Sequence, residues 1–453
     1  MCAFCPIRLL FRRSILALCI ALYFATALCA ENELLYLDLE SSLGIAINNN
    51  IELKAIHASK QIYDLTVTER LRDYFPTLAL SYMNTQEVAI RETDSRRRKL
   101  SMEANFNVYD GGKRGLAYDI SKLKSILARN DYRIARNRLI AETIQAYLEL
   151  IQLKGVIDIH KKTLERGMMQ LTLIKKEHDL GEATTFNVLE IEAKVMEIEL
   201  NLKKATDNFE IALNRFKVML KLDWRQPVEI LGDVKSDFIL FPIDTSFTVN
   251  DFVAIATKNR KEIESGEVEF SINSKTYYMN KLYYFPQFSV GVNYSLSDTS
   301  QETDRFMPRE KGWGINFQAT TALWGSTTAG SMGYSESGNS NSRNRTANGT
   351  VNVLDSMDYK RKIVESKIQM DTARDTRVSN RHQIAIEVVS SYMALENSWD
   401  MIEIAQKQLE LYDTQLEIER LKANMGESKR YDLMKKEIER GEAAIALNRG
   451  YDI

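Results

Sequence analysis

The chain writes one unit twice, and that repetition constrains its fold before composition is considered. Tyr74-Phe75-Pro76 returns as Tyr284-Phe285-Pro286, 210 positions later. At the same offset Ala46 matches Ala256, Asn49 matches Asn259, Glu52 matches Glu262 and Leu53 matches Ile263. Tyr147-Leu148 and Gly181-Glu182 return as Tyr392-Met393 and Gly426-Glu427, now 245 apart. The offset grows by 35 between Pro286 and Tyr392, so the second copy carries an insertion there.

Residues 1–30 read as a cleaved secretory signal. Arg8, Arg12 and Arg13 precede an apolar run from Ser14 to Leu28, and small residues follow at Ala27 and Ala30. A retained membrane anchor is the alternative, against which stands the shortness of the apolar run. Cys2, Cys5, Cys19 and Cys29 all lie in this segment, so cleavage after Ala30 leaves no disulfide or cysteine metal site. A lipid-modified Cys29 is the competing reading, though bulky Leu28 precedes it. Loss of the three arginines moves the formal net charge from −2 to −5, which argues against a nucleic-acid partner. No later stretch is apolar for long enough to form a transmembrane helix.

No proline falls between Pro76 and Pro227, and none follows Pro308. Proline breaks helix interiors, so both arms permit very long helices. Ile140, Ile144, Tyr147 and Ile151, then Leu164, Met168, Leu171 and Ile174, recur at spacings of three and four. Ile384, Val388, Tyr392, Leu395, Trp399 and Ile402 repeat the stripe, followed by Leu409, Tyr412 and Leu416. A helix from Lys113 to His178 would be roughly 100 Å long, which suits a coiled coil or helical tube. The rods reverse at Gly181 and Gly426, and new helices are expected over about 183–220 and 428–448.

Strands lie between these arms. Phe288, Val290, Val292, Tyr294 and Leu296 alternate with Gln287, Ser289, Gly291, Asn293 and Ser295. Strands are expected at about 77–90, 99–109, 287–297 and 313–324. One apolar and one polar face suits a half-buried sheet or a membrane barrel. Aromatic clusters at strand ends (Tyr74, Phe75; Tyr283, Tyr284, Phe285; Trp313, Trp324) favour the membrane. Four strands cannot close a barrel, and an open edge cannot face lipid, so several copies must share one wall. Residues 325–349, rich in Ser, Gly and Asn, read as a flexible loop. Val351-Asn352-Val353-Leu354-Asp355 resembles Phe106-Asn107-Val108-Tyr109-Asp110 and competes as the true strand end. Ile315–Leu323 is preferred because its alternation is longer.

The domain plan is a first repeat over 31–220, a connector at 221–250, a second repeat over 251–448 and a tail at 449–453. The fold class is mainly α with membrane β, each unit running helix, strand, strand, long helix, helix.

This order of motifs resembles the outer-membrane efflux protein family, the TolC-like channels, over about residues 35–448. Carrying the resemblance are Tyr74-Phe75-Pro76 before the first strand and Val108-Tyr109-Asp110-Gly111-Gly112-Lys113 where the return strand becomes a helix. Asp179-Leu180-Gly181-Glu182, Asn187-Val188-Leu189 and Leu220-Lys221-Leu222-Asp223 add to it. In the second copy Leu323-Trp324-Gly325-Ser326 replaces the usual aromatic-Asp-Gly-Gly.

The resemblance implies a homotrimer in the cell outer membrane. Four strands per chain would build a twelve-stranded barrel, continued by an α-helical tunnel in the periplasm. Residues 221–250 and the C-terminus would form a belt around the tunnel. It further implies a passive export duct of a tripartite efflux pump or type I secretion system. Its partners would be a periplasmic adaptor and an inner-membrane pump of RND, ABC or MFS type. Leu180, Gly181, Glu182, Gly426 and Glu427 then become candidates for the periplasmic mouth, and Asp179, Lys429 and Arg430 for gating charges.

Arg96, Arg97, Arg98 and Lys99 are expected in an extracellular basic loop, solvated or touching outer-membrane lipid head groups. Nothing in the sequence carries catalysis. His57, His160, His178 and His382 lack metal-ligand spacing, and no phosphate loop or Gly-x-Ser-x-Gly occurs. No enzyme, cofactor or metal is therefore expected. A periplasmic coiled-coil scaffold or adaptor without a pore is the alternative function.

Overall fold

The computed structural model describes residues 34–87, 95–232, 247–300, 310–338, 342–425, 427 and 429–450. The expected signal segment with Cys29, Gly426, much of the connector (233–246) and the end of the tail (451–453) lie outside the described residues. The elements, in chain order, are β1 (Leu35–Leu37), α1 (Leu39–Asn49), α2 (Ile51–Arg72), β2 (Thr77–Glu87), β3 (Ser95–Tyr109), α3 (Lys113–Asp179) and α4 (Thr185–Met219). There follow β4 (Val228–Ile230), α5 (Val249–Asn259), α6 (Lys261–Lys281), β5 (Gln287–Ser300) and β6 (Glu310–Leu323). The last are β7 (Ser326–Ser337), β8 (Ser342–Asn352), α7 (Tyr359–Asn424) and α8 (Arg430–Gly450). The chain forms two compact units: Met1–Ile51, Arg136–Phe247 and Ser390–Ile453 in one, Glu52–Ala135 and Thr248–Val389 in the other. No helix among the described residues is long and apolar enough to cross a membrane.

The duplication reaches the caps. At the start of α1 the Asp38 carboxylate accepts from Ser41 N–H (2.9 Å), while Asp38 N–H donates to the Ser41 hydroxyl (3.1 Å). At the matching place before α5 the residue types are exchanged: Asp251 accepts from Thr248 N–H at 2.8 Å and from its hydroxyl at 2.7 Å. These bonds satisfy donors that a helix start leaves without intrahelical partners. They hold the Asp38 and Asp251 carboxyls below their ordinary values. Both helices stop at the same repeat position, with Asn50 N–H on the Ala46 carbonyl and Arg260 N–H on the Ala256 carbonyl.

In the second unit, β2-β3-β5-β6-β7-β8 form one six-stranded sheet in that order, every pair antiparallel. This corrects the expected four strands. It also replaces the expected loop at 325–349 with most of a hairpin. Because β7 and β8 are built of Ser, Gly, Thr and Asn, their composition imitates a loop. Their register shows strand: Met332 faces Phe317 and Ala347, and Tyr334 faces Ile315 and Arg345.

Trp324 (φ 48) and Gly325 (φ 79) form the turn between β6 and β7, both left-handed. Two such residues make the turn whose twist matches paired strands. The second strand-to-helix junction therefore lies past Asn352, at the competing candidate. There Asp355 accepts from Thr327 N–H (2.9 Å) and pins the hairpin base. In the first copy Asp110 does comparable work, accepting from Gly112 N–H (3.1 Å) and Arg114 N–H (2.8 Å).

The register sorts the sheet into two faces, because side chains alternate along a strand. One face carries Leu78, Leu80, Tyr82, Met102, Phe106, Phe288, Val290, Val292, Tyr294, Ile315, Phe317, Met332 and Val351. The other carries Ser81, Ser101, Asn105, Ser289, Asn293, Asn316, Gln318, Ser331, Asn344 and Asn348. On β5 the apolar stretch from Phe288 to Leu296 spans about 27 Å along the strand. Charges follow it on the same face: Arg98 with Asp298, and Arg343 with Glu336.

The basic run also sits elsewhere than expected. Arg96, Arg97, Arg98 and Lys99 belong to β3, with Arg96 opposite Gln86 and Lys99 opposite Met83. Alternation splits them between the two faces, so they are not a single loop patch. Strand structure persists because Arg98 is buried against Asp298 at 3.4 Å across the β3–β5 ladder.

The helices of this unit bury Leu53, Ile120, Ile263, Ile272 and Ile384 and are also joined by ion pairs. Lys275 reaches Asp119 at 2.9 Å, Arg381 reaches Glu267 at 2.6 Å, and Arg260 grips both oxygens of Glu387. In the other unit, β1 pairs parallel with β4, fastening the chain start to the connector. Beneath it Leu37, Ala46, Tyr147, Leu150, Ile151, Phe216, Leu220 and Ile230 form a buried core. Gln152 and Asn448 exchange side-chain-to-backbone bonds of 3.1 and 2.8 Å, binding α8 to α3.

Candidate functional site: the paired helix turns

The first turn ends α3 with two bonds that the sequence specifies. Gly181 takes φ +83, and its N–H reaches the His178 carbonyl at 2.9 Å. Glu182 N–H reaches the Glu177 carbonyl at 2.8 Å. This is a Schellman stop, which needs a left-handed residue after the helix and strongly favours glycine there. Glu427 N–H reaches the Lys422 carbonyl at 3.0 Å, the same bond shifted by the repeat offset. Gly426 itself lies outside the described residues. Thr184 then starts α4 by accepting from Asn187 N–H at 3.3 Å.

Packing holds the turn region together. Ile174 of α3, Ile191, Val195 and Ile198 of α4, and Met434 of α8 form a buried cluster. Above it lies a hollow of about 350 Å³ whose charged lining includes Glu177, Glu182, Glu190, Lys429 and Arg430. Arg430 Nε donates to Glu177 Oε1 at 2.5 Å, joining the first turn to the second. Each partner sits at the end of a helix where the dipole disfavours its charge. Glu177 is in the last turn of α3, and Arg430 is the first residue of α8. Pairing relieves both. Lys175 with Glu192 (3.6 Å) joins α3 to α4, and Arg440 with Asp413 (2.6 Å) joins α8 to α7, each within its own hairpin.

The expected site residues are thus only partly brought together. Glu182, Lys429 and Arg430 share the hollow. Leu180, 75% exposed, and Asp179, whose side chain is 83% exposed, do not line it. Sequence reasoning missed Glu177. A signal was available: at the repeat offset Glu177 matches Lys422, a reversal of charge at an otherwise repeated position.

A family model described as outer membrane efflux protein matches residues 43–220. The chain carries an outer membrane efflux protein domain. No curated protein matches the chain in sequence. Among solved structures, the fold of this chain is similar to a membrane protein from Pseudomonas aeruginosa, at TM-score 0.71 and 14% identity, over 91% of this chain and 86% of that one. It is similar to the outer membrane protein VceC of Vibrio cholerae, at TM-score 0.70 and 12% identity, over 91% and 92%. It is also similar to the CmeC outer membrane channel of Campylobacter jejuni, at TM-score 0.70 and 16% identity, over 93% and 83%. The likeness in fold extends well past the matched domain.

Proposed function

We propose that this chain is an outer-membrane channel, working as the passive export duct of a tripartite efflux pump or type I secretion system. The observation that carries the reading is the sheet: an antiparallel wall, apolar on one face and polar on the other, passing directly into very long helices. Lipid would lie against Leu80, Val292 and Phe317, and water against Ser81, Asn293 and Asn316. The same reading makes it a homotrimer in the outer membrane with its helices in the periplasm, supported by the efflux-protein domain at residues 43–220. Purified protein reconstituted in a planar bilayer is expected to give stable single-channel steps. A water-soluble species without conductance would instead mean a periplasmic scaffold.

The helix turns serve as the periplasmic mouth. Opening it separates the first turn from the second, and the Glu177–Arg430 pair opposes that separation. Arg430→Ala is expected to raise the conductance or open probability several-fold. Stability should change by less than about 1 kcal/mol, because both groups are partly solvated. Arg430→Lys should recover part of the closed behaviour. Conductance identical to that of the parent in Arg430→Ala would remove the pair from gating.

Leu180, Gly181 and Glu182, with Glu427 and by symmetry Gly426, are assigned to docking of the periplasmic adaptor. A Cβ at Gly181 meets nothing within 4 Å, and the positive φ costs a side chain there about 1–2 kcal/mol. Gly181→Trp is therefore expected to keep the oligomer while abolishing export of the cell's cargo. Normal export by an intact oligomer would sink the docking assignment.

A further inference from the structure

We infer that the membrane wall of this protein is built of eighteen strands, with the β7–β8 hairpin of each copy seated against β2 of the next. This rests on the reading above that the chain is a trimeric outer-membrane channel, and it replaces the twelve-stranded wall that four strands per chain would give.

The two edges of the sheet carry the argument. Among the described residues β2 pairs only with β3, and β8 only with β7. Each edge strand is eleven residues long. A row of open backbone groups in lipid costs several kcal/mol per group, so both edges must be covered. Six strands fall short of the eight in the smallest outer-membrane barrels, so the sheet does not close on itself.

A second copy fits these edges. With six alternating strands, β8 runs opposite to β2, so joining copies continues the antiparallel pattern without a break. Both edges leave from the helical end of the sheet, β2 just after α2 and β8 just before α7. The faces also agree: Leu78, Leu80 and Tyr82 lie on the same face as Ala347, Gly349 and Val351.

The older edge is closed to a partner. In a twelve-stranded wall β2 of the next copy would pair with β6. Here β6 is paired with β7 without interruption from Gly312–Ser337 to Leu323–Ser326. A partner reaching β6 would have to strip that whole ladder. The insertion detected as the growth in repeat offset is therefore additional wall. Barrel diameter grows roughly linearly with strand number, so the lumen cross-section is about twice that of a twelve-stranded barrel. The added sector lines it with neutral groups such as Ser331, Ser335, Asn344 and Asn348.

Cysteine pairing in the full-length protein, extracted from outer membranes, tests this. The four native cysteines all lie in the first thirty residues. Leu80→Cys is combined in turn with Ala347→Cys, Gly349→Cys and Val351→Cys on β8, and separately with Ala319→Cys on β6. At least one β8 combination is expected to give disulfide-linked dimers and trimers on a non-reducing gel, with the β6 combination giving none. Scanning three positions keeps the test usable if one variant misfolds. Linkage of β2 to β6 in a conducting trimer would overturn the inference while leaving the channel reading intact. A disulfide formed within one chain, with no gain in mass, would overturn it too. A monomer without conductance would take down both readings.

Discussion

Tyr147→Ala is expected to lower the unfolding free energy by about 3–5 kcal/mol, the cost of an emptied aromatic site in a close-packed core. The ring is 2% exposed and lies 6.3 Å from the Phe216 ring, centroid to centroid. Its hydroxyl donates to the Leu231 carbonyl beyond β4. One side chain thus joins α3, α4 and the short parallel sheet. Truncation removes both the packing and the bond, and it leaves a cavity that rigid helices cannot close. Tyr147→Phe keeps the ring and drops only the hydrogen bond, so about 1–2 kcal/mol is expected. Denaturant melts of the two variants check this. An alanine loss no larger than the phenylalanine loss would mean that the ring does not organise this core.

The second large effect belongs to the sheet. Arg98→Ala is expected to cost about 3–5 kcal/mol, because it leaves the Asp298 carboxylate buried without the guanidinium 3.4 Å away. Side-chain exposures of 3% and 1% place both charges out of water. A double variant, Arg98→Met with Asp298→Leu, should recover most of that loss, since no charge is then left unmatched. The temperature at which the folded form is lost on an SDS gel reports the order: parent close to double variant, single variant well below. Equal losses in single and double variants would show that the pair contributes by packing and not by charge.

The repeat shows where sequence reading stops. Tyr147 and Tyr392 match at the repeat offset and are indistinguishable in the apolar stripe, yet Tyr147 is buried and Tyr392 only half-buried. Periodicity marks the face a helix turns inward. It does not say which neighbour is close enough to seal a given position. The 326–352 segment failed for a different reason. A strand on a wall needs large apolar groups on one parity at most. With Gly330 and Gly349 even there, composition could not separate it from a loop. The basic run 96–99 failed likewise, since charges suggest solvent until a cross-strand carboxylate is known to meet them.

The sequence by itself determined the duplication, the long helices, the turn at Gly181, the alternating strands and the place of an insertion. These are local matters: proline absence, period, cap residues and left-handed glycines act within a few positions. Only the tertiary structure decided that the insertion is two further strands, that Glu177 meets Arg430 across 253 positions, and that Arg98 and Asp298 are buried together. Each of these is a pairing between distant segments, settled by the register of a ladder or the packing of a helix face, which no single stretch of chain records.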